Sequence, residues 1–394
     1  MLLKAYQYRI YPSKEQEILI AKHFGSCRWI WNYALSRKIE AYAKERKHLS
    51  KFDLSKEIPA LKKAEETKWL KEVNSQSLQA ALENQDKAFT KFFKEKKGFP
   101  KFKSKKKNKQ SFQVPQNVKV DFDSGKIFLP KFKSGIKTVF HRRFEGKIKT
   151  TTVKQKPSGK YYVSILVETP QSEKKAPKPN IKKAIGIDLG IKDFIVTSDG
   201  QKIQNPKFLK KSLKKLTLLQ RRHSRKSKGS KNREKARIIL ARQHEKVTNQ
   251  RFDFLHKLTY KMVCESQVNT FCIEDLCVKG MLRNHRLAQS IADISWGKFV
   301  EFLKYKSRWY GKNVLTIGRF EASSKTCSVC GSINQSLTLK DRNWTCGSCG
   351  TSHDRDVNAA KNIVKFAFHP KNKQQSIPMD NREFTLVEMG VHYV

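Results

Sequence analysis

Leu3, Ala5, Gln7 and Arg9 alternate with Lys4, Tyr6, Tyr8 and Ile10 at the start of the chain, a two-residue period that predicts a strand over residues 1–10. From about Ser13 to Lys97 the spacing becomes helical. It is clearest in SLQAALENQDKAFTKFF, where Leu78, Ala81, Leu82, Gln85, Phe89 and Phe92 recur on one face. Trp29, Trp31 and Tyr33 add apolar bulk, for which a packed helical bundle is a simpler reading than base stacking. Gly98 and Pro100 break the pattern in GFPKFKSKKKNK and leave a basic run from Lys105 to Lys109. Across residues 111–170, QNVKVDF, GKIFLP, GKIKTTTVKQK and KYYVSILVET alternate and are punctuated by SG, GK and PSG. These strands predict a small barrel-like β domain that takes in residues 1–10 and carries the helices as an insertion. KKAPKPN, with two prolines, reads as a linker.

From Ile181 the pattern changes again. AIGIDLG and IKDFIVT read as strands, followed by a turn at Ser198-Asp199-Gly200 and a strand through QKIQN. A long basic helical stretch comes next: from Pro206 to Lys246, 16 Lys and Arg face only two acids, Glu234 and Glu245, with a break at Gly229. NTFCIEDL is a strand, and WGKFVEFLKYKSRWYG is a helix carrying Trp296, Phe299, Phe302, Leu303, Lys306 and Tyr310. NVLTIGRF is a further strand and VNAAKNIVKFAF a closing helix. The order predicts an α/β domain built on a mixed sheet. Residues 371–394 lack strong periodicity and read as a disordered tail.

Composition changes the picture mainly through charge. A chain of 394 residues is too long for one ordinary core, so about two to four domains are expected. Its 83 Lys+Arg against 35 Asp+Glu leave +48, a self-repulsion that favours a polyanionic partner. One basic run is usually a solvated face; a surplus of this size over the whole chain points to nucleic acid, held in a strongly salt-dependent way. Lys4, Gln7 and Arg9 interrupt the apolar residues of MLLKAYQYRIYPSKEQ, and no later stretch approaches the ~20 apolar residues of a membrane span. The expectation is a protein of the prokaryotic cytosol or nucleoid, with no membrane partner. Cys27, Cys264, Cys272 and Cys277 lie among apolar neighbours and read as reduced core residues.

The other four cysteines form a pattern. Cys327 and Cys330, a 15-residue gap, then Cys346 and Cys349 match four-thiolate zinc spacing. Gly331 and Gly350 follow the second cysteine of each pair and permit a tight knuckle. A disulfide pair fits poorly without secretion, and a thioredoxin-like site needs only one CxxC. With sulfur in all four positions, one Zn²⁺ here is structural. His353 reads as a spectator.

Three acids carry the candidate chemistry. Asp188 ends the apolar strand of AIGIDLG, where a carboxylate is costly unless a metal or donors compensate it. Its bland reading is an Asp that starts a turn. Glu274 is followed by Asp275, which points to the opposite face of a strand, so either can be a ligand. Asp354 and Asp356 raise the same question, because capping a helix is a sufficient role for either. Taken together, in the order strand, strand, helix start, such acids can hold two Mg²⁺ ions roughly 4 Å apart. One ion would lower the pKa of the attacking water and the other stabilise the departing 3′ oxygen, as in RNase H-like phosphodiester hydrolysis. Neither a GxSxG nor a P-loop signature is present.

GIDLGIKDF, FCIEDL with Lys279-Gly280-Met281 nearby, and CSVCG…WTCGSCG…HDRDVNAAKNI resemble the RuvC-like nuclease region of TnpB proteins. Bacterial and archaeal insertion sequences encode this family, which is similar to the miniature type V CRISPR nucleases. YQYRIYPSKEQ and SLQAALENQDKAFTKFF resemble its N-terminal half, so the likeness covers roughly residues 1–370. It implies an RNA-guided, Mg²⁺-dependent endonuclease of a transposable element, in which a guide RNA from the transposon end pairs with double-stranded DNA beside a short target-adjacent motif. It places the catalytic, magnesium-holding triad on Asp188, Glu274 and Asp356. The implied fold is α+β and multidomain: a β-barrel-like domain (1–10 plus 108–178) with an inserted helical recognition domain (11–107), then an RNase H-like nuclease domain (181–320 plus 351–370) with a zinc-binding insert (321–350). The particle is expected to be a monomer in a ribonucleoprotein.

Lys105, Lys106, Lys107, Arg221, Arg222 and Arg225 are candidates for gripping phosphates, which positions a duplex without reading it. Gln76, Gln79, Asn84 and Lys87 are candidate groove contacts for the adjacent motif. Two other classes compete. A non-cutting RNA-guided repressor would not need the three acids, and a strand-joining transposase would use a 3′ hydroxyl in place of water.

Overall fold

The computed structural model describes residues 1–106, 110–319, 321–338 and 340–369; Lys107 and the 371–394 segment lie outside the described residues. The chain divides into two compact units, residues 1–171 and residues 172 onward.

The first unit runs β1 (Leu2–Tyr11), α1 (Lys14–Glu45), α2 (Lys51–Lys63), α3 (Ser75–Glu95), β2 (Gln110–Val114), β3 (Lys119–Asp121), β4 (Lys126–Phe128), β5 (Ile136–Val139), β6 (Lys147–Gln155) and β7 (Tyr161–Thr169). Its strands form one curled antiparallel sheet in the order β2-β6-β7-β1-β5-β4-β3. The first strand lies inside that sheet, paired with β7 from Leu2 to Ile10 and with β5 from Arg9 to Tyr11. Its faces divide less cleanly than the alternation predicts. Tyr8 and Ile10 enter the core, yet Ala5 and Gln7 on the opposite face are also buried. The Gln7 amide donates to the Ser164 hydroxyl at 3.3 Å, which lets a polar residue sit there.

Serines start the first two helices. Ser13 with Gln16, and Ser50 with Asp53, close reciprocal capping boxes that satisfy otherwise orphaned amides. The predicted helical face of α3 packs as expected, with Leu78, Leu82 and Gln85 buried. His23 ties α1 to its start: Nδ1–H donates to the Leu19 carbonyl and Nε2 accepts from the Asn74 amide. Trp29 stacks on Tyr33 at 5.2 Å and meets Trp69 edge-on at 5.7 Å, so these rings are engaged in helix packing.

The second unit runs β8 (Ala184–Leu189), β9 (Asp193–Thr197), β10 (Lys202–Gln204), α4 (Phe208–Ser224), α5 (Lys231–Tyr260), β11 (Thr270–Glu274), α6 (Val278–Met281), α7 (His285–Ile294), α8 (Trp296–Tyr310), β12 (Asn313–Ile317), β13 (Asn343–Thr345), β14 (Ser352–Asp354) and α9 (Arg355–Phe368). This is mixed α/β. A five-stranded sheet has the order β10-β9-β8-β11-β12, with β8, β11 and β12 parallel and β9 and β10 antiparallel. Cys272, Ile317, Ile363 and Ala367 pack α9 onto this sheet. Leu216, Leu240 and Val247 join α4 to α5 as a hairpin whose outer faces carry the basic side chains.

Candidate active site and metal centre

Asp188 and Glu274 reach one cleft because their strands are adjacent and parallel. Ile187 on β8 is in register with Ile273 on β11, so the next residue on each strand emerges at the same carboxyl end. That edge of a parallel sheet is where side chains are free of the ladder and ligands gather. Asp356, in the first turn of α9, lines the same cleft of about 910 Å³, together with Lys192, Lys207 and Lys210. Burial, then the nearby charges of Glu274 and Asp356, push the Asp188 carboxyl up to about 7. Burial raises Glu274 as well, against a hydrogen bond from the Ser323 hydroxyl at 2.5 Å.

The neighbouring acids are used elsewhere. Asp275 forms an ion pair with Arg319 at 2.7 Å. Asp354 is the N-cap of α9, accepting from the amides of Asp356 and Val357, and pairs with Lys202 at 2.5 Å. Burial works against its charge, but Lys202 and those amides hold it below the usual carboxylate range. Asp293, on α7, also lines the cleft and caps α4: it accepts from the Leu209 amide at 3.0 Å and the Arg251 guanidinium at 3.0 Å.

Asp188, Glu274 and Asp356 are three of the five acids that line this half-buried cleft, beside Asp193 and Asp293. With the Asp188 carboxyl raised by its burial and its like-charged neighbours, they are a donor set suited to hard divalent cations such as Mg²⁺. Asp188, Glu274 and Asp356 would hold them. Elsewhere in this unit four sulfurs lie within 4.8 Å of one another.

Those sulfurs belong to Cys327, Cys330, Cys346 and Cys349. Cys327 and Cys349 are 3.7 Å apart and Cys330 and Cys346 3.6 Å. A tetrahedron with metal–sulfur bonds of about 2.3 Å has edges of about 3.8 Å, so the cluster could hold Zn²⁺. Two matching turns build it. The Gly331 amide donates to the Cys327 carbonyl and the Gly350 amide to the Cys346 carbonyl, with both glycines at positive φ, 83° and 68°. The Ser332 hydroxyl, placed 3.1 Å from Cys346 Sγ, is the main cause holding that thiol down to about 5. His353 is outside the four-sulfur group, although its Nε2 lies 3.1 Å from Cys327 Sγ and its ring packs against Trp344.

Several residues at these sites carried little signal along the chain. Asn358 and Asn362, buried on α9, hold the first knuckle: the Asn358 side chain accepts from the Ser328 amide and donates to the Thr326 carbonyl, while Asn362 donates to the Ser323 carbonyl. Two asparagines four apart in VNAAKNIV were the available clue, since an apolar helix face has no use for them. Ser323, Arg342 and Arg355 carried none.

The remaining candidates are placed as follows. Gln79 and Lys87 are exposed on α3, with Lys87 paired to Glu83; Gln76 bonds to Gln116 and Asn84 to Gln113. Lys105 and Lys106 are exposed after α3, and Arg221, Arg222 and Arg225 are exposed at the end of α4. No helix among the described residues is long and apolar enough to cross a membrane.

Residues 164–285 match a family described as "Probable transposase", residues 296–363 the "Cas12f1-like, TNB domain", and residues 1–47 a "Helix-turn-helix domain". The last stretch is here a strand and one long helix. A Streptomyces pristinaespiralis protein named "Putative RNA-guided DNA endonuclease" is 39% identical over 92% of this chain and 88% of its own. Escherichia coli (strain K12) InsQ, which carries the same description, is 33% identical over 92% of each. Among solved structures, the Cas12f1–sgRNA–target DNA complex is similar over 90% of this chain and 83% of that one, with a TM-score of 0.55 at 19% identity, a likeness of fold.

Proposed function

The chain belongs to the TnpB family, and from that premise we propose that it is an RNA-guided DNA endonuclease of a transposable element, cutting double-stranded DNA beside a short adjacent motif. The carrying observation is the facing of Asp188, Glu274 and Asp356 into one cleft. The cleft-bearing unit is read as an RNase H-like nuclease domain (181–320 plus 351–370), with 321–350 as its zinc-binding insert. Residues 1–10 plus 108–178 are read as a wedge-like β domain and 11–107 as the recognition helices, the whole acting as a monomer with its RNA.

In this reading, bound Mg²⁺ ions supply an activated water and charge stabilisation for the departing 3′ oxygen. The chain's own residues do the rest. The three carboxylates hold the ions, and Ser323 fixes the rotamer of Glu274 by donating to it. Lys192, Lys207 and Lys210 draw the phosphodiester into the cleft. Arg221, Arg222 and Arg225, with Lys105 and Lys106, grip phosphates; Gln76, Gln79, Asn84 and Lys87 contact the adjacent motif. The intact acid triad favours cutting over a non-cutting repressor.

The test is to purify the protein with RNA from its native locus and sequence what is bound. A single discrete RNA, whose 3′ end matches sequence beside the element, followed by Mg²⁺-dependent cleavage of a matching duplex, is the expected result. Heterogeneous RNA, or strand joining in place of hydrolysis, would overturn it.

A further inference from the structure

Asp356 differs from Asp188 and Glu274, the other two acids read as metal ligands. Among the described residues, Asp188 and Glu274 make no ion pair, whereas both Asp356 oxygens face guanidinium groups. Arg342 Nη1 lies 3.2 Å from Oδ2, and Arg355 Nε lies 3.5 Å from Oδ1. A guanidinium on a carboxylate oxygen competes with a metal for its charge and for one of its lone-pair directions, so an arriving cation is opposed by these arginines.

The two arginines are not equally movable. The Arg355 side chain is 15% exposed and also donates to the carbonyls of Thr338 and Asp341 at 3.3 Å. Arg342 is 47% exposed, and among the described residues its guanidinium donates to Asp356 alone. It can swing into solvent at little cost. Its backbone, by contrast, is fixed: the Arg342 carbonyl accepts from the Arg355 amide at 2.8 Å, directly before β13 of the cysteine-bearing segment.

We propose that Arg342 is a displaceable counter-ion which occupies Asp356 until a divalent cation takes its place, so that the four-cysteine segment sets the divalent affinity of the cleft. The inference rests on the reading of Asp188, Glu274 and Asp356 as metal ligands. Arg342 acts through Asp356 and is a positioning residue.

The test measures Mn²⁺ binding to the full chain by the loss of the free-ion electron paramagnetic resonance signal. Arg342→Gln is expected to bind Mn²⁺ about three- to tenfold more tightly than wild type, the range for removing one partly exposed competing ion pair. Arg342→Met, which keeps the aliphatic stem, should do the same, and Arg342→Lys should stay near wild type. In an Asp356→Asn background Arg342→Gln should change nothing. Unchanged or weakened Mn²⁺ affinity in both neutral variants, with an unchanged thermal transition, would overturn the proposal alone. If Asp188→Asn also bound Mn²⁺ like wild type, the metal-site reading would fall with it.

Discussion

Gly186 on β8 lies so close to Ala360 on α9 that a Cβ at residue 186 would stand 1.9 Å from the Ala360 carbonyl oxygen. Asp188 is two residues further along that strand, and Asp356 one turn back along that helix. The contact therefore sets the spacing between two of the three acids. Gly186→Ala must push α9 off the sheet. It should cost at least about 1–3 kcal/mol, and cleavage should fall more than stability does. Thermal melting beside single-turnover cleavage would separate the two effects.

Asp188 makes the metal-free protein pH-sensitive. Its carboxyl is raised to about 7 in the folded chain, against about 3.9 when unfolded. The folded state thus holds the proton more tightly, and stability is lost as pH rises from about 4 to about 7. In chelator, Asp188→Asn should be more stable than wild type by on the order of 1–3 kcal/mol above pH 7, discounted for partial solvent access. The gap should close below about pH 4. Denaturant melts across that range test this, and a pH-independent gap would contradict it. Asp188→Ala should abolish cleavage yet keep RNA and target binding.

Cys346→Ser should release the metal of the four-cysteine cluster and loosen the segment around 320–356, giving misfolding and not a clean catalytic defect. Metal analysis should drop from about one Zn²⁺ per chain toward none, with new protease cleavage in that segment. A folded, zinc-free variant that cuts normally would refute it.

Asn362→Ala takes a side-chain donor from the Ser323 and Thr326 carbonyls. The expected loss is about 1–3 kcal/mol, with faster zinc release to a chelator. Because Ser323 also donates to Glu274, Mn²⁺ affinity should weaken in the same variant. Unchanged melting and metal affinity would show the bond to be dispensable.

Replacing Arg221, Arg222 and Arg225 with Gln should weaken RNA binding and flatten its salt dependence by about one unit of log–log slope for each phosphate no longer neutralised. Binding measured over a range of salt gives that slope directly. An unchanged slope would remove the end of α4 from the interface.

Much of this was legible from short-range pattern. AIGIDLG and NTFCIEDL are strands because a buried parallel sheet needs continuous β-branched and apolar runs, and both form. The paired CxxC motifs announced a closed thiolate cluster, and their glycines adopt the positive φ that the knuckles need. Periodicity was weaker where pairing is non-local. β5, which flanks β1, has only four residues, too few for its sequence to announce the alternating burial it shows. The first strand forms where its alternation predicts, but the alternation does not say which face is buried, because residues on both faces are.

The sequence by itself determined the element types, the cysteine cluster, the surplus of positive charge and the three acids worth weighing. It could do so because helix period, strand period and ligand spacing are properties of neighbours along the chain. The resemblance singled out Glu274 over Asp275 and Asp356 over Asp354, but only the tertiary structure shows the physical difference within each pair, since Asp275 and Asp354 are held by distant residues, Arg319 and Lys202. The same holds for Ser323 on Glu274 and Arg342 on Asp356. A side chain's charge state and occupancy depend on what the fold brings within a few ångströms, and no local pattern encodes that.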